Sequence, residues 1–285
     1  MSEIVKNWMK TGILLAVLGG ILLVIGLLIG GKQGLVIGFV FALVINAFSY
    51  WFSDKLILWI YRAKQVTMKD EPKLYAIVKD VSQLAKIPMP KVFIVPSENA
   101  NAFATGRNPK NAAVACTRGI MNLLSEEELK GVIAHEIAHV RNRDILISTI
   151  AATIATVISF IASMARFSAF FGSRDNDNRG GNIVYLILIG IITPIIAMMI
   201  QLAISRSREY LADETGARII KNSNYLASAL EKLENNAKAH PIGFGSTATS
   251  SLFIVNPFKG QAFINLLSTH PPMAERVKRL KALRV

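Results

Sequence analysis

Residues His135, Glu136 and His139 form the stretch His-Glu-x-x-His, the spacing of a helical metal site. Residues i and i+4 project from one face of an α-helix, so both imidazoles could bind one tetrahedral Zn²⁺ ion. Glu136 is too displaced to be the ideal third ligand, but it is well placed to contact a metal-bound water. The metal lowers the pKa of such a water and the carboxylate accepts its proton. The motif therefore predicts metal-assisted hydrolysis with Glu136 as general base.

The third ligand must come from elsewhere in the chain. A catalytic zinc keeps three protein ligands and one open position. A third histidine six residues beyond the motif is absent, because Ile145 stands there. Glu209 and Asp213 are again i and i+4, so one carboxylate could bind the metal and the other could accept a hydrogen bond from a ligand imidazole. An ordinary helical ion pair with a nearby arginine is the alternative for Glu209. Two further acidic residues stay open as weaker candidates, Glu214 and Glu231.

Four apolar stretches are long enough to cross a bilayer as helices. The first two, 13–30 and 35–52, contain no charged residue and each reaches about 27 Å at helical rise. The connection Gly31–Gly34 allows only a tight hairpin between them. The third and fourth predicted spans are 145–165 and 183–204. Buried core helices of a soluble protein are the alternative reading of all four.

The spans divide the chain into four parts. A transmembrane hairpin (1–52) precedes the first part of a polar domain (53–144), and a second transmembrane pair (145–204) precedes its second part (205–285). The two polar parts carry 14 and 12 Lys and Arg residues against 10 and 6 acidic residues. Because cytoplasmic segments of membrane proteins are enriched in Lys and Arg, both parts and both termini are expected in the cytosol. An even number of crossings then lets the two parts form one site.

Composition excludes two other classes of protein. The single cysteine, Cys116, rules out an internal disulfide framework and fits a reducing compartment. The net charge of +13 is accompanied by no nucleic-acid-binding motif, so it is attributed to cytosolic loops and no nucleic-acid partner is expected.

The first polar part reads as an α+β unit. Its predicted elements are a helix at 72–86, a strand at 91–96 and a candidate hairpin of 101–106 with 111–117. Ser125 and Glu128 then have the spacing of a capping box, which begins the helix that carries the His-Glu-x-x-His motif.

Two separated motifs together resemble a known family. The His-Glu-x-x-His stretch, followed after two apolar spans by Ser205-Arg206-x-x-Glu209-Tyr210-x-Ala212-Asp213, is similar to the HtpX-type integral membrane zinc metalloproteases, which are related to CAAX prenyl endopeptidases. The resemblance covers essentially the whole chain. It implies a mostly α membrane protein with four transmembrane helices and a cytosolic α+β, zincin-like peptidase domain.

The same resemblance implies roles for individual residues. His135, His139 and Glu209 would bind one Zn²⁺, with Glu136 as general base. An edge strand would bind extended substrate through main-chain hydrogen bonds and would contain Asn101, Ala102 and Phe103. Near the C-terminus, His270 and Arg276 also match the family pattern, and either could stabilise an oxyanion as a catalytic residue. A purely structural role in a basic C-terminal helix is equally open for these two.

The predicted function is therefore zinc-dependent hydrolysis of peptide bonds in membrane proteins, at the cytosolic face of the cell inner membrane. The expected partners are membrane-protein or unfolded polypeptide substrates and the lipid bilayer, and the resemblance suggests quality control under stress. A non-catalytic membrane scaffold with a structural zinc is the alternative, but such a site requires a fourth protein ligand. A transporter would require ionisable groups within its spans, and the first two spans have none.

Overall fold

The computed structural model describes residues 3–147, 149–150, 206–239 and 271–285. The fourth predicted span, most of the third, and His270 lie outside the described residues.

Helices predominate in the described part of the chain. They are α1 (Glu3–Ile60), α2 (Pro72–Ala85), α3 (Arg118–Leu123), α4 (Glu126–Arg141), α5 (Arg206–Ile220), α6 (Asn224–Ala239) and α7 (Met273–Ala282). The strands are β1 (Lys64–Gln65), β2 (Lys91–Val95), β3 (Ala102–Gly106) and β4 (Ala112–Thr117), with a 3₁₀ turn at Pro109–Asn111.

Helix α1 folds back on itself. The side-chain amide of Asn46 donates to the backbone carbonyl of Leu15 at 3.2 Å. A straight helix would separate these residues by about 46 Å, so the two arms must be antiparallel. The reversal lies at Gly31, whose φ of +56° is accessible to glycine at little cost. The expected hairpin is present, but its turn is a single distorted residue within one helical element rather than a four-residue loop.

The second arm of α1 is the part that qualifies as a membrane span. Among the described residues, one helix is long and apolar enough to cross a bilayer, Gly31–Ile60, with a mean hydropathy of 2.1. It continues two turns beyond the predicted end at Phe52. The first arm is not identified as a span by this criterion, so the four-span prediction stays untested.

The four strands form one sheet in the order β1-β2-β4-β3. The predicted hairpin is confirmed, because β3 and β4 pair antiparallel with Ala102 opposite Cys116. Strand β2 runs parallel to β4, and the short β1 extends the sheet beyond β2. Neither of these two pairings follows from local sequence. Strand β3 lies at the edge of the sheet.

The two faces of the sheet pack on different elements. One face contributes Phe103 and Ala115 to a cluster with Ile57 and Leu58, at the end of α1. The opposite face joins the main core beneath α2 and α4. The folded domain is thereby attached directly to the last turns of the apolar helix.

Helix α4 is the centre of the domain and carries the predicted metal motif. The predicted capping box is present: Ser125 Oγ accepts from the Glu128 N–H at 3.3 Å, and the Glu128 carboxylate accepts from the Ser125 N–H at 2.9 Å. Helix α5 approaches α4 closely at Gly216, where an added Cβ would lie 2.9 Å from the backbone nitrogen of His135. Because a side chain at position 216 would clash with backbone, glycine is what allows α5 to reach the metal motif.

Candidate metal centre

Three predicted ligands from two helices converge on one point. The Nε2 atoms of His135 and His139 are 3.1 Å apart. Glu209 Oε2 lies 3.7 Å from His135 Nε2, and Glu209 Oε1 lies 3.7 Å from His139 Nε2. Ligands about 2.0–2.1 Å from a tetrahedral zinc are about 3.4 Å from one another. The observed separations bracket this value, so the three donors fit one tetrahedral ion.

The hydrogen bonds of the two imidazoles support the same assignment. His135 Nδ1 lies 2.9 Å from Asp213 Oδ1, and His139 Nδ1 lies 3.0 Å from Asp144 Oδ2. His139 Nδ1 is hydrogen-bonded to Asp144, and His135 Nδ1 lies within ion-pair distance of Asp213. A carboxylate beside each Nδ1 favours the tautomer that leaves a lone pair on Nε2. Two such lone pairs and the Glu209 carboxylate then face one point, which is the arrangement that a metal ion requires. The donor set thus fits a divalent metal.

The field at the centre favours positive charge. Burial alone would lower the pKa of His139, but the charge and hydrogen bond of Asp144, together with the charge of Glu209, outweigh burial and raise that pKa to about 10. The same field that stabilises a proton on this ring also stabilises a metal ion in its place.

Glu136 connects the metal motif to the edge of the sheet. Its side chain is 6% exposed, and its Oε2 accepts a hydrogen bond from the Ala104 N–H of β3 at 2.8 Å. Burial raises the pKa of Glu136 and outweighs the charges of His135 and His139, which act to lower it. A buried carboxyl with a raised pKa, held beside the three donors, is suited to proton transfer.

Asp213 and Arg276 form the support behind His135. Arg276 is fully buried and donates to both carboxylate oxygens of Asp213, at 2.9 Å from Nε and 2.7 Å from Nη2. Burial opposes ionisation of Asp213, but Arg276 outweighs it and lowers the pKa of Asp213 to about 2. Arg276 Nη1 also lies 3.7 Å from Glu209 Oε2. Arg276, which was predicted as a site residue, therefore lies within the metal centre. Its charge compensates the carboxylates of Asp213 and Glu209.

The weaker ligand candidates lie away from the centre. Glu214 is exposed and forms an ion pair with Arg218 at 2.9 Å. Glu231 is exposed and pairs with Lys281 at 2.7 Å. The structure therefore leaves Glu209 as the acidic member of the three-residue cluster.

The three residues of the expected substrate strand are placed as follows. Asn101 directly precedes β3 and is 2% exposed. Ala102 faces the core beneath α4, and Phe103 packs on the other face, where its ring centroid lies 5.3 Å from that of Tyr61. Cys116 is buried in β4 as expected, and burial raises the pKa of its thiol.

Sequence reasoning missed two buried residues of the centre, Asp144 and Arg208. Asp144 follows α4 after a turn in which Arg143 has a φ of +59°, so helical periodicity alone gives no reason to place it beside His139. Its position in a polar turn before an apolar stretch was the available signal. Arg208 directly precedes Glu209 and is 5% exposed.

Comparison with known proteins gives consistent matches. Residues 68–284 match the model described as peptidase family M48. A protein of Pyrococcus furiosus named "Protease HtpX homolog" is 52% identical over 276 residues, covering 97% of this chain and 96% of that protein. A Syntrophobacter fumaroxidans protein of the same name is 50% identical over 277 residues, covering 96% and 98%.

One solved structure resembles the whole described fold. It is the crystal structure of S. mikatae Ste24p, with a TM-score of 0.54 and 21% sequence identity, covering 97% of this chain and 67% of that one. At this level of identity the likeness concerns the fold alone.

Proposed function

This chain belongs to peptidase family M48, and on that premise we propose that it hydrolyses peptide bonds with Zn²⁺ held by His135, His139 and Glu209. The family and the HtpX-type relatives make it a membrane metalloendopeptidase. The likeness to Ste24p supports the expected relation to CAAX prenyl endopeptidases. The observation that carries the proposal is the convergence of these three donors with Glu136 beside them.

The proposed mechanism assigns proton transfer to Glu136. His135, His139 and Glu209 would hold the zinc ion, which would supply a Lewis acid able to lower the pKa of water to near neutrality. The Glu136 carboxylate would accept a proton from the attacking water and would return it to the leaving amine. Its raised pKa suits this exchange, since a base that ionises closer to neutral pH gives up the proton more readily. The bond from the Ala104 N–H fixes the carboxylate beside the middle of β3.

Two carboxylates hold the imidazoles in the metal-binding tautomer. Asp144 is hydrogen-bonded to Nδ1 of His139, and Asp213 Oδ1 lies 2.9 Å from Nδ1 of His135, so both Nε2 atoms stay available. Arg276 keeps Asp213 ionised and compensates the charge of Glu209. The oxyanion role considered for Arg276 and His270 stays a prediction.

The proposed substrates are extended polypeptides that pair with the outer edge of β3. Strand β3 has β4 on one side, and its Ala104 N–H points to the other side, toward Glu136. Alternate residues of a strand share this direction, so Ala102 and Gly106 also direct backbone groups to the outer edge. Main-chain pairing binds peptides irrespective of side chains, which suits a protease that acts on misfolded membrane proteins.

The proposed location of the site is the cytosolic membrane surface. The apolar arm Gly31–Ile60 ends where Ile57 and Leu58 pack beneath the sheet, so the centre lies close to the end of a span. Trp51 and Trp59 are 53% and 76% exposed, as expected of an aromatic belt at the interface. The excess of basic residues in both polar parts favours the cytosolic side.

The alternative, a scaffold with a structural zinc, would require a fourth protein ligand. Within the described residues, the cluster consists of three donors, as in catalytic sites that keep one open position.

Metal analysis and proteolysis of the same sample test the proposal. The full chain, purified in detergent, is expected to contain about one zinc per chain and to cleave unfolded casein. A chelator should remove both properties, and added Zn²⁺ should restore both. Protein that holds zinc but cleaves neither casein nor an unfolded membrane protein would favour the scaffold.

A further inference from the structure

Arg208 and Asp144, two buried charged residues beside the metal centre, each have side-chain atoms without a hydrogen-bond partner among the described residues. Arg208 is 5% exposed, and neither Nη1 nor Nη2 has a hydrogen-bond partner in the part of the chain that the structure describes. Asp144 is 2% exposed, and its Oδ1 is likewise unpartnered there. Buried charged groups whose polar atoms are left unpaired are costly, so the unpaired atoms of both residues require a physical explanation.

The two groups are chemically complementary. Arg208 directly precedes Glu209, whose Oε1 lies 3.7 Å from His139 Nε2, and Asp144 Oδ2 lies 3.0 Å from Nδ1 of the same ring. The guanidinium and the Asp144 carboxylate are thus both buried next to groups that contact one imidazole. In agreement with this geometry, the charges of Asp144 and Glu209 oppose the lowering of the Arg208 pKa by burial. Glu209 faces the two imidazoles of the metal centre. Asp144 therefore has the oxygen that is free to accept from the guanidinium, and a guanidinium–carboxylate pair is the strongest arrangement available to either group.

The other ligand histidine shows this arrangement with an arginine in direct contact with the aspartate. Asp213 binds Nδ1 of His135 at 2.9 Å and also pairs with the buried guanidinium of Arg276. Asp144 binds Nδ1 of His139 at 3.0 Å through Oδ2, while Oδ1 has no such partner. Asp144 thus contacts His139 as Asp213 contacts His135, but among the described residues Asp144 has no direct contact to an arginine.

We propose that Arg208 is the charge partner of Asp144, and that this pair positions His139 as the Asp213–Arg276 pair positions His135. The inference rests on the proposed metal site. Arg208 and Asp144 are positioning residues: they fix the tautomer and the plane of the imidazole, and neither contacts substrate. Loss of such a partner typically lowers metal affinity about 10–100-fold.

Zinc affinity of the metal-stripped full chain, measured by competition with a chromophoric chelator, tests the pair. Asp144→Asn keeps an oxygen for His139 but presents an amide to Arg208, and Arg208→Met removes the charge at similar length. Each is expected to lower zinc affinity about 10–100-fold. The double variant should be no weaker than the weaker single variant, because both changes disrupt one unit. Arg208→Lys should recover part of the loss.

A matched control lies on the same helix. Glu214 and Arg218 form an exposed ion pair of α5, so Glu214→Gln and Arg218→Met should leave zinc affinity unchanged. The visible absorption of Co²⁺-loaded protein adds a readout that general destabilisation does not move. It should shift in Asp144→Asn and Arg208→Met and stay constant in both controls.

Failure of the proposed metal site and failure of the Arg208–Asp144 pair would give different results. Wild-type protein that binds no zinc would contradict the metal site itself. Normal zinc affinity in Asp144→Asn and Arg208→Met would overturn the inference while leaving the site intact, as would losses that multiply in the double variant. An Arg208→Met variant with normal zinc affinity and a raised KM would also overturn it, because Arg208 would then contact substrate. If Arg208→Met does not fold, Asp144→Asn and Arg208→Lys still decide the result.

Discussion

Arg276 and Asp213 form a bidentate ion pair across 63 residues of sequence, with distances of 2.9 and 2.7 Å. The arginine is fully buried, and the aspartate also binds His135. This pair attaches the C-terminal helix to the metal motif. Loss of this ion pair is therefore expected to lower both the stability of the protein and its affinity for the metal.

Arg276→Met should destabilise the protein strongly, because it leaves Asp213 buried without its partner. Breaking a buried pair by removing one member costs about 3–5 kcal/mol. Lys278→Met, on the exposed face of the same helix, is the matched control and should change little. Denaturant unfolding of the detergent-solubilised, metal-free chain measures both.

The difference in free energy of unfolding between wild type and Arg276→Met should depend on pH. The pKa of Asp213 is lowered to about 2 from an ordinary value of 3.8. A depressed pKa contributes stability that is present above the ordinary value and lost as pH falls through the folded-state value. The difference should therefore be largest above about pH 4 and shrink toward pH 2. A difference that stays constant over this range would show that the pair is not its source.

Glu209→Ala should remove most of the bound zinc, because it deletes one of three ligands. Glu214→Gln serves as control, since Glu214 is exposed and pairs with Arg218. Metal content of the purified variants, determined by mass spectrometry, is the measurement. Wild-type zinc content in Glu209→Ala would exclude Glu209 as a ligand.

Backbone methylation of a peptide substrate should inhibit cleavage with a period of two residues. If substrate pairs with the edge of β3, alternate amide N–H groups of the substrate point toward that strand and the others point away. Methylation of the inward groups should raise KM, while methylation of their neighbours should be tolerated. Uniform tolerance along the peptide would contradict binding to β3.

Single-cysteine labelling of intact cells should place the hairpin tip outside and the domain inside. In a Cys116→Ala background, Lys32→Cys should react with a membrane-impermeant reagent, while Lys69→Cys should react only after permeabilisation. Both positions are exposed in the structure. Asn176→Cys, between the third and fourth predicted spans, should also label from outside. Labelling of Lys69→Cys in intact cells would contradict a cytosolic active site.

The parts of the centre that were predicted from sequence depend on local spacing. His135 and His139 share a helical face because they are four residues apart, and Ser125 with Glu128 begins that helix as predicted. The hairpin of β3 and β4 is equally local, since a short turn connects the strands.

The parts that were missed depend on contacts between distant segments. The parallel pairing of β2 with β4 requires a crossover, which no short pattern encodes. Arg276 was predicted as a site residue, but its bond to Asp213 follows from the packing of α7 on α5. Asp144 reaches His139 through a positive φ at Arg143, which breaks the helical register on which the prediction relied.

Glu136→Gln tests the central claim most directly. The amide cannot accept a proton from water, yet it has nearly the shape of the carboxylate and is not one of the three zinc donors. The purified variant is expected to retain wild-type zinc content while hydrolysis of casein falls by at least about 10²–10⁴-fold, the usual contribution of a general base. Near-normal hydrolysis with zinc bound would contradict the account and remove Glu136 from the mechanism.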